Sequence, residues 1–439
     1  MEPRLRNTAP TRALPSAALL VVLALAVPAA RAQAQPPHDV LIVGDISASL
    51  KGFATRAPKQ METLYRVLFT NSPSTQLARM PGERDVVQLI PRERVGLFAD
   101  AAAYTGQTTP LGETIRRATA NYPAVAVVTD AMESDNRYLE LQEAVASAAE
   151  GGWGVWLLLV PLPFDGKYDL EQPLNAQEQL AQMQECVRQA DPGWSVTVSE
   201  SARRTVNFVG ERPLIILFFD QSPEQGREYV LRVAAGIEAN LGRGPQTVEL
   251  SPLYLREFAV GAGEASNSFG VAMSDEGSGA RRIIADPKEG GAAKELSMPV
   301  TWKRPRPRIE QPFEEEWVLD RTKPASWGNL QIVAGGKDSP GALDLSVSAR
   351  LTWWEWFRRL FSSGNVQRDE PFQFDVYSTV EQPVDGWWNA QSEETSWRCP
   401  HKVFKLKSLV ERISGVARER ILKDPPRESY TLRLQIGAS

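Results

Sequence analysis

Asp45, Ser47 and Ser49 stand two residues apart where an apolar run, Val40-Leu41-Ile42-Val43-Gly44, gives way to polar chain. That spacing lets three side-chain oxygens turn towards one point as the backbone leaves a strand. Thr109, just before Pro110-Leu111-Gly112, and Asp130, at the end of the run Ala124-Val125-Ala126-Val127-Val128-Thr129, offer two more oxygens. Carboxylate and hydroxyl oxygens are hard ligands. They suit a divalent cation such as Mg2+ first, then Mn2+ or Ca2+, rather than zinc. Two carboxylates balance a 2+ ion, and three hydroxyls add no charge. Such an ion stays electrophilic enough to take an acidic group from another molecule. Glu133 and Asp135 follow Asp130 closely enough to stand behind the ligands. Each piece alone is bland: Asp-x-Ser-x-Ser forms turns, and a Thr before a helix is commonly its N-cap.

The surrounding elements must carry these residues to one edge. The runs at 40–44 and 124–129 are continuously apolar, as in strands buried on both faces of a parallel sheet. Residues 153–160 and 214–219 read the same way, and 86–90 is a shorter strand. Helical spacing falls between them at 59–69, 110–120, 138–148 and 223–241, the first helix after Asp100 starting with Thr109 in capping position. Alternating buried strands and helices predict an α/β fold built on a doubly wound, mostly parallel sheet. Such sheets bind ligands beyond the carboxyl ends of their strands, which is where Asp45 and Asp130 fall. Residues 161–212 interrupt the alternation as an insertion, with a helix at 176–190 and extended chain at 195–209.

Taken in order, Asp45-Ile46-Ser47-Ala48-Ser49, Thr109 before Pro110-Leu111-Gly112, and Val127-Val128-Thr129-Asp130 resemble the metal-ion-dependent adhesion site (MIDAS) of the von Willebrand factor A-type (vWA) family. The resemblance spans residues 38–240. It implies that Ser47, Ser49 and Thr109 coordinate a divalent cation. Asp45 and Asp130 would bind it directly or through water, and a partner's carboxylate would complete the shell. The sequence departs from the family after the last Asp, where the usual Gly is Ala131. The implied function is a non-enzymatic module that binds the acidic group of a protein partner through the metal. A metal-dependent hydrolase is the first competing reading. Against it, no general base is evident beside the five oxygens. A scaffold that holds glycan or membrane through the Trp-rich C-terminal half is the second.

The rest of the chain bounds these readings. A length of 439 residues predicts two or three domains. We divide it into a vWA-like domain at 38–245, a β-rich segment at 246–303 and a β-rich C-terminal domain at 309–439. The alternations Leu343, Leu345, Val347 and Phe372, Phe374, Val376 and Tyr430, Leu432, Leu434 predict antiparallel strands in a sandwich-like arrangement. One amphipathic helix is expected at 402–422 and a flexible loop at 261–279. Nine of the twelve Trp lie between Trp302 and Trp397, either as an aromatic platform or as core. The net charge of −5 gives no electrostatic footprint for nucleic acid. The only His are His38 and His401 and the only Cys are Cys186 and Cys399, which excludes a Cys/His zinc cluster and disfavours a Ser-His-Asp hydrolase. The two Cys allow one disulfide; sequence leaves open whether they meet. Residues 1–34 read as a signal peptide: Arg4, Arg6 and Arg12, an apolar stretch at 17–30, then Ala30-Arg31-Ala32. The expected location is outside the cytoplasm, in a bacterial periplasm or beyond. An uncleaved anchor is the competing reading of the same stretch.

Overall fold

Strand β1 (Val40–Asp45) sends Val40 and Ile42 to one face of a sheet and Leu41 and Val43 to the other, and all four are buried. Strand β4 (Ala124–Thr129) divides its residues in the same way and pairs with β1 in parallel. A continuous apolar run is therefore what each of these strands needs. This computed structural model describes residues 39–436 apart from 73, 81–86, 108, 132–137, 170–176, 199–204, 251–258, 263–268, 278–279, 288–294, 304–308, 324–327, 333–341, 351–365, 394–398 and 424–426. The expected signal peptide, Glu133 and Asp135, and the Trp residues at 327, 353, 354, 356 and 397 lie outside the described residues. Among the described residues no helix is long and apolar enough to cross a membrane.

The first sheet has eight strands. Its order is β3 (Gln88–Ile90), β2 (Gln76–Met80), β1, β4, β7 (Thr205–Asp220), β5 (Gly154–Asp169) and β8 (Gln246–Glu249), with β6 (Ser195–Val198) also paired to β7. Helices α1 (Lys51–Arg56), α2 (Pro58–Thr70) and α6 (Pro223–Leu241) pack into the core on one face. Helices α3 (Leu111–Asn121) and α4 (Tyr138–Glu150) pack into the core on the other. The α/β class and helix-on-both-faces layering follow the sequence reading. The direction of the strands does not. Only β2, β1 and β4 run parallel to one another; β3, β7, β5 and β8 are antiparallel to their neighbours, so the sheet is mixed.

The cause is a long hairpin. β5 does not follow β4 in the sheet; β7 folds back along all 16 residues of β5 and lies between them. An apolar run buried on both faces looks the same in sequence whether its neighbour is parallel or antiparallel. The expected insertion shrinks for the same reason. Residues 161–169 and 205–212 are the outer arms of the hairpin, and α5 (Gln177–Ala190) and β6 come between them in the chain. Pro161 and Pro163 hid this continuation. They are tolerated because β8 pairs with β5 only from Trp156 to Leu159, leaving that side of the outer arm as an edge among the described residues.

Among the described residues the C-terminal half forms a short parallel pair, β17 (Ser392–Glu393) with β18 (Val403–Phe404), and two further large sheets. One holds β10 (Phe269–Gly277), β11 (Ala280–Pro287), β19 (Arg427–Ile436), β16 (Val366–Pro383) and β13 (Phe313–Lys323) in that order. The other holds β14 (Gly328–Ile332), β15 (Ala342–Arg350), β12 (Glu295–Lys303) and β9 (Ala259–Ala262). Within these two large sheets all pairs are antiparallel except β11 with β19. The expected loop at 261–279 is instead partly strand. β10 occupies 269–277, where the alternating Phe269, Val271 and Met273 are obscured by Gly, Ser and Ala on either side.

The chain then returns to the first sheet. Helix α7 (Trp387–Gln391) and helix α8 (Leu406–Lys423) place Trp388, Leu406, Leu409, Val410 and Ile413 in the same buried cluster as Leu141, Val145 and Ala149 of α4. The Tyr138 hydroxyl donates to the Lys405 carbonyl at 2.5 Å, and Arg420 Nη1 donates to the Ala149 carbonyl at 3.1 Å. Trp388, only 3% exposed, is therefore core rather than platform. Cys186 of α5 and Cys399, which leads into α8, form a disulfide with their Cα atoms 5.9 Å apart. His401 packs near Trp194 at 5.6 Å between ring centroids, so it belongs to this junction.

Candidate metal centre

The loop after β1 is fixed before any side chain is considered. Ile46 N donates to the Met80 carbonyl at the end of β2 (2.7 Å). Ala48 N donates to the Gly106 carbonyl (2.9 Å), and Gly106 N donates to the Ile46 carbonyl (3.1 Å). The segment leading to Thr109 is thus stitched to the segment carrying Ser47. Beneath, a Cβ at Gly44 would lie 2.1 Å from Phe98 Cε1 and 2.6 Å from the Tyr65 hydroxyl, so only glycine admits this approach. Burial first, and then neighbouring charge, raises the Tyr65 and Tyr104 phenols, which stay neutral under Asp45.

Asp45 is fully buried and held at both oxygens. Ser47 N donates to its Oδ1 at 2.8 Å, and Thr129 Oγ1 donates to its Oδ2 at 2.8 Å. Burial and, after it, the charge of Asp130 push the Asp45 carboxyl up to about 7, against the opposing hydrogen bonds from Ser47 and Thr129. The Ser47 and Ser49 hydroxyls lie 3.0 Å apart. Ser47, Thr109 and Asp130 are nearly buried, while Ala48 is exposed and Ser49 and Pro110 are half-buried. The side open to solvent therefore lies over Ser49. Thr109 is not the helix cap that its position suggests. The N-cap of α3 is Pro110, which makes no side-chain capping bond, and the Thr109 carbonyl accepts from Leu111 N at 3.0 Å.

Asp130 leaves β4 beside Asp45, and the turn after it is distinctive. Ala131 has φ 57°, in the left-handed region that favours glycine, and its N–H donates to Thr129 Oγ1 at 3.1 Å. The backbone form is kept although the residue is not Gly. A Cβ in this region costs about 1–2 kcal/mol. Ala131→Gly should therefore leave ligand binding intact and raise stability by about 0.5–1 kcal/mol in urea unfolding, after the entropy that Gly adds to the unfolded chain. A loss of stability would show that the Ala131 methyl, which is 4% exposed, packs more than it strains.

Sequence reasoning missed Arg212. This residue stands on β7, opposite Leu162 of β5 and three positions beyond Ile215, the partner of Thr129 at the end of β4. Its Nη2 lies 3.1 Å from Asp130 Oδ2, with the two side chains 4% and 0% exposed. Its Nη1 donates to the Ser49 carbonyl at 3.4 Å, and its guanidinium sits over the Phe164 ring, 5.2 Å from the centroid. The only signal in sequence was a charged residue abutting a buried strand, Glu211-Arg212-Pro213, and nothing in the spacing linked it to residue 130.

The residues fit a hard divalent cation. Two mutually repelling carboxylates are buried at adjoining strand ends, where they favour positive charge, and hydroxyls complete an all-oxygen donor set. Among the described residues no three His, Cys, Asp or Glu side chains cluster as ligands, so any cation at this site rests on the hydroxyls as well. No known protein family, no characterised protein and no solved structure matches this chain.

Proposed function

We propose that this chain is an exported binding protein whose vWA-like α/β domain holds a divalent cation, Mg2+ foremost, and through it the acidic group of a protein partner. Asp45, Ser47, Ser49, Thr109 and Asp130 would hold the ion. The β-rich half, which we read as sandwich-like, would serve as spacer or second interface. One observation carries the reading: Asp45 and Asp130 are buried side by side at the ends of β1 and β4, with Ser47 and Ser49 in hydrogen-bond contact beside them. A buried carboxylate pair is costly unless positive charge joins it, and Arg212 offsets only one of the two carboxylates. When bound, the ion supplies an electrophilic site for a carboxylate. The chain's own contribution is to orient the oxygens and to exclude water from beneath. The Cys186–Cys399 bridge supports export, because such bridges persist in oxidising compartments.

The test is a pull-down from envelope extract with the full mature chain, in Mg2+ or in EDTA. The expected result is a partner retained in Mg2+, released by EDTA and absent with Asp45→Ala. Retention that ignores both EDTA and the substitution would sink the proposal. Mg2+-dependent turnover of phosphate or ester substrates that is lost in Asp45→Ala would replace it with the hydrolase reading.

A further inference from the structure

Arg212 is a buried cation that the five-oxygen site does not call for. Once both are ionised, as ligation of a metal requires, the carboxylates of Asp45 and Asp130 together carry two negative charges. With the Arg212 guanidinium on Asp130 Oδ2, the cluster keeps a net charge of minus one rather than minus two. A divalent ion added to that cluster leaves it at plus one, in a place that water reaches poorly. A carboxylate arriving from outside returns it to zero. Arg212 has no easy retreat: its guanidinium lies on Phe164, it is tied to the Ser49 carbonyl, and the long β5–β7 hairpin fixes its backbone.

We infer that Arg212 makes metal loading conditional on an acidic ligand. Without an ion it neutralises Asp130 and keeps the site closed. With an ion it adds a positive charge that only an anion relieves, so cation and carboxylate bind as a pair. This rests on the metal-binding reading above and adds the rule by which the site fills. The hairpin achieves it by register alone. β4 stops at Thr129, and the neighbouring strand continues for three residues to place a guanidinium beside the next carboxylate. By linkage, the carboxylate tightens the ion by the same factor as the ion tightens the carboxylate.

The experiment measures Mn2+ affinity by calorimetry on the full mature chain, in sodium acetate and in sodium chloride at matched ionic strength. Wild type, Arg212→Met, Arg212→Gln and the charge-keeping Arg212→Lys are compared. For wild type and Arg212→Lys, acetate should tighten Mn2+ by about tenfold or more, the effect of removing one like charge at close range. Arg212→Met and Arg212→Gln should bind Mn2+ about tenfold tighter than wild type in chloride and gain little from acetate. Near-ultraviolet circular dichroism establishes which of the two neutral variants is folded, and either one suffices. Equal Mn2+ affinity in wild type and a folded neutral variant overturns the role of Arg212 while leaving the metal site standing. No Mn2+ binding by any of the four, in acetate or chloride, overturns the metal reading itself and with it this inference.

Discussion

Asp45→Asn should make the metal-free protein more stable while abolishing its response to Mg2+. Burial and the Asp130 carboxylate raise the Asp45 carboxyl from 3.8 to about 7. The folded form therefore holds a proton that the unfolded chain has already lost. Stability falls as pH rises from about 4 to about 7, and the loss is complete above that range. An amide carries no charge and escapes this loss. Its carbonyl still accepts from Ser47 N, and the Thr129 hydroxyl can turn to accept from its NH2. The expected gain in EDTA is on the order of 3 kcal/mol at pH 8 and small at pH 4. Excess Mg2+ should reverse the ranking, because a ligand that binds only folded wild type stabilises wild type alone. Urea unfolding of both proteins at the two pH values, with EDTA or Mg2+, checks each part. If Asp45→Asn is the less stable protein at pH 8 in EDTA, Asp45 is a structural acceptor and not a ligand kept under strain.

Loss of the disulfide should be the most damaging change away from the site. Cys186 and Cys399 are 213 residues apart, so their bridge closes a very long loop in the unfolded chain. Chain entropy for loops of this order, together with measured losses of native bridges, gives a cost of about 3–5 kcal/mol. The bridge joins α5, at the far end of the hairpin, to the segment that leads into α8. The double substitution Cys186→Ser with Cys399→Ser should lower the unfolding midpoint, and a reductant should lower the wild-type midpoint by the same amount. The double variant should be indifferent to reductant. An unchanged wild-type midpoint under full reduction would show that the packing of α8 on α4 holds this junction without the bridge.

The parts of the fold that local pattern controls were readable. α6 runs over Pro223–Leu241 as its Pro start and its Gly242 stop require. β1 and β4 lie where continuous apolar runs put them, and their carboxyl ends bring Asp45 and Asp130 together. The parts set by pairing between distant segments were not readable. β2 contains Gln76 and Arg79 and has no strong alternation, yet it pairs with β1 along its whole length. The position of β7 between β4 and β5 depends on which of several equivalent apolar edges meet, and no residue type marks that choice. Arg212 was lost with it, since its partner is 82 positions away by number and is reached only through that strand order. Thr109 was given a capping role because a Thr ahead of a helix so often has one, whereas the helix starts one residue later.

The burial of α4 under α8 has a consequence for how the protein is made. The apolar face of α4 is covered by Leu406, Leu409, Val410 and Ile413, which are synthesised long after it. A nascent chain that has built β1, β4 and α4 still shows that face to its surroundings. Contacts of such separation form late and slowly. The core around the first sheet therefore cannot close until α8 has emerged, and a chaperone or translocation channel would find it open until then. A fragment ending near residue 245 would contain every proposed ligand and Arg212, yet would lack the last wall of its own core.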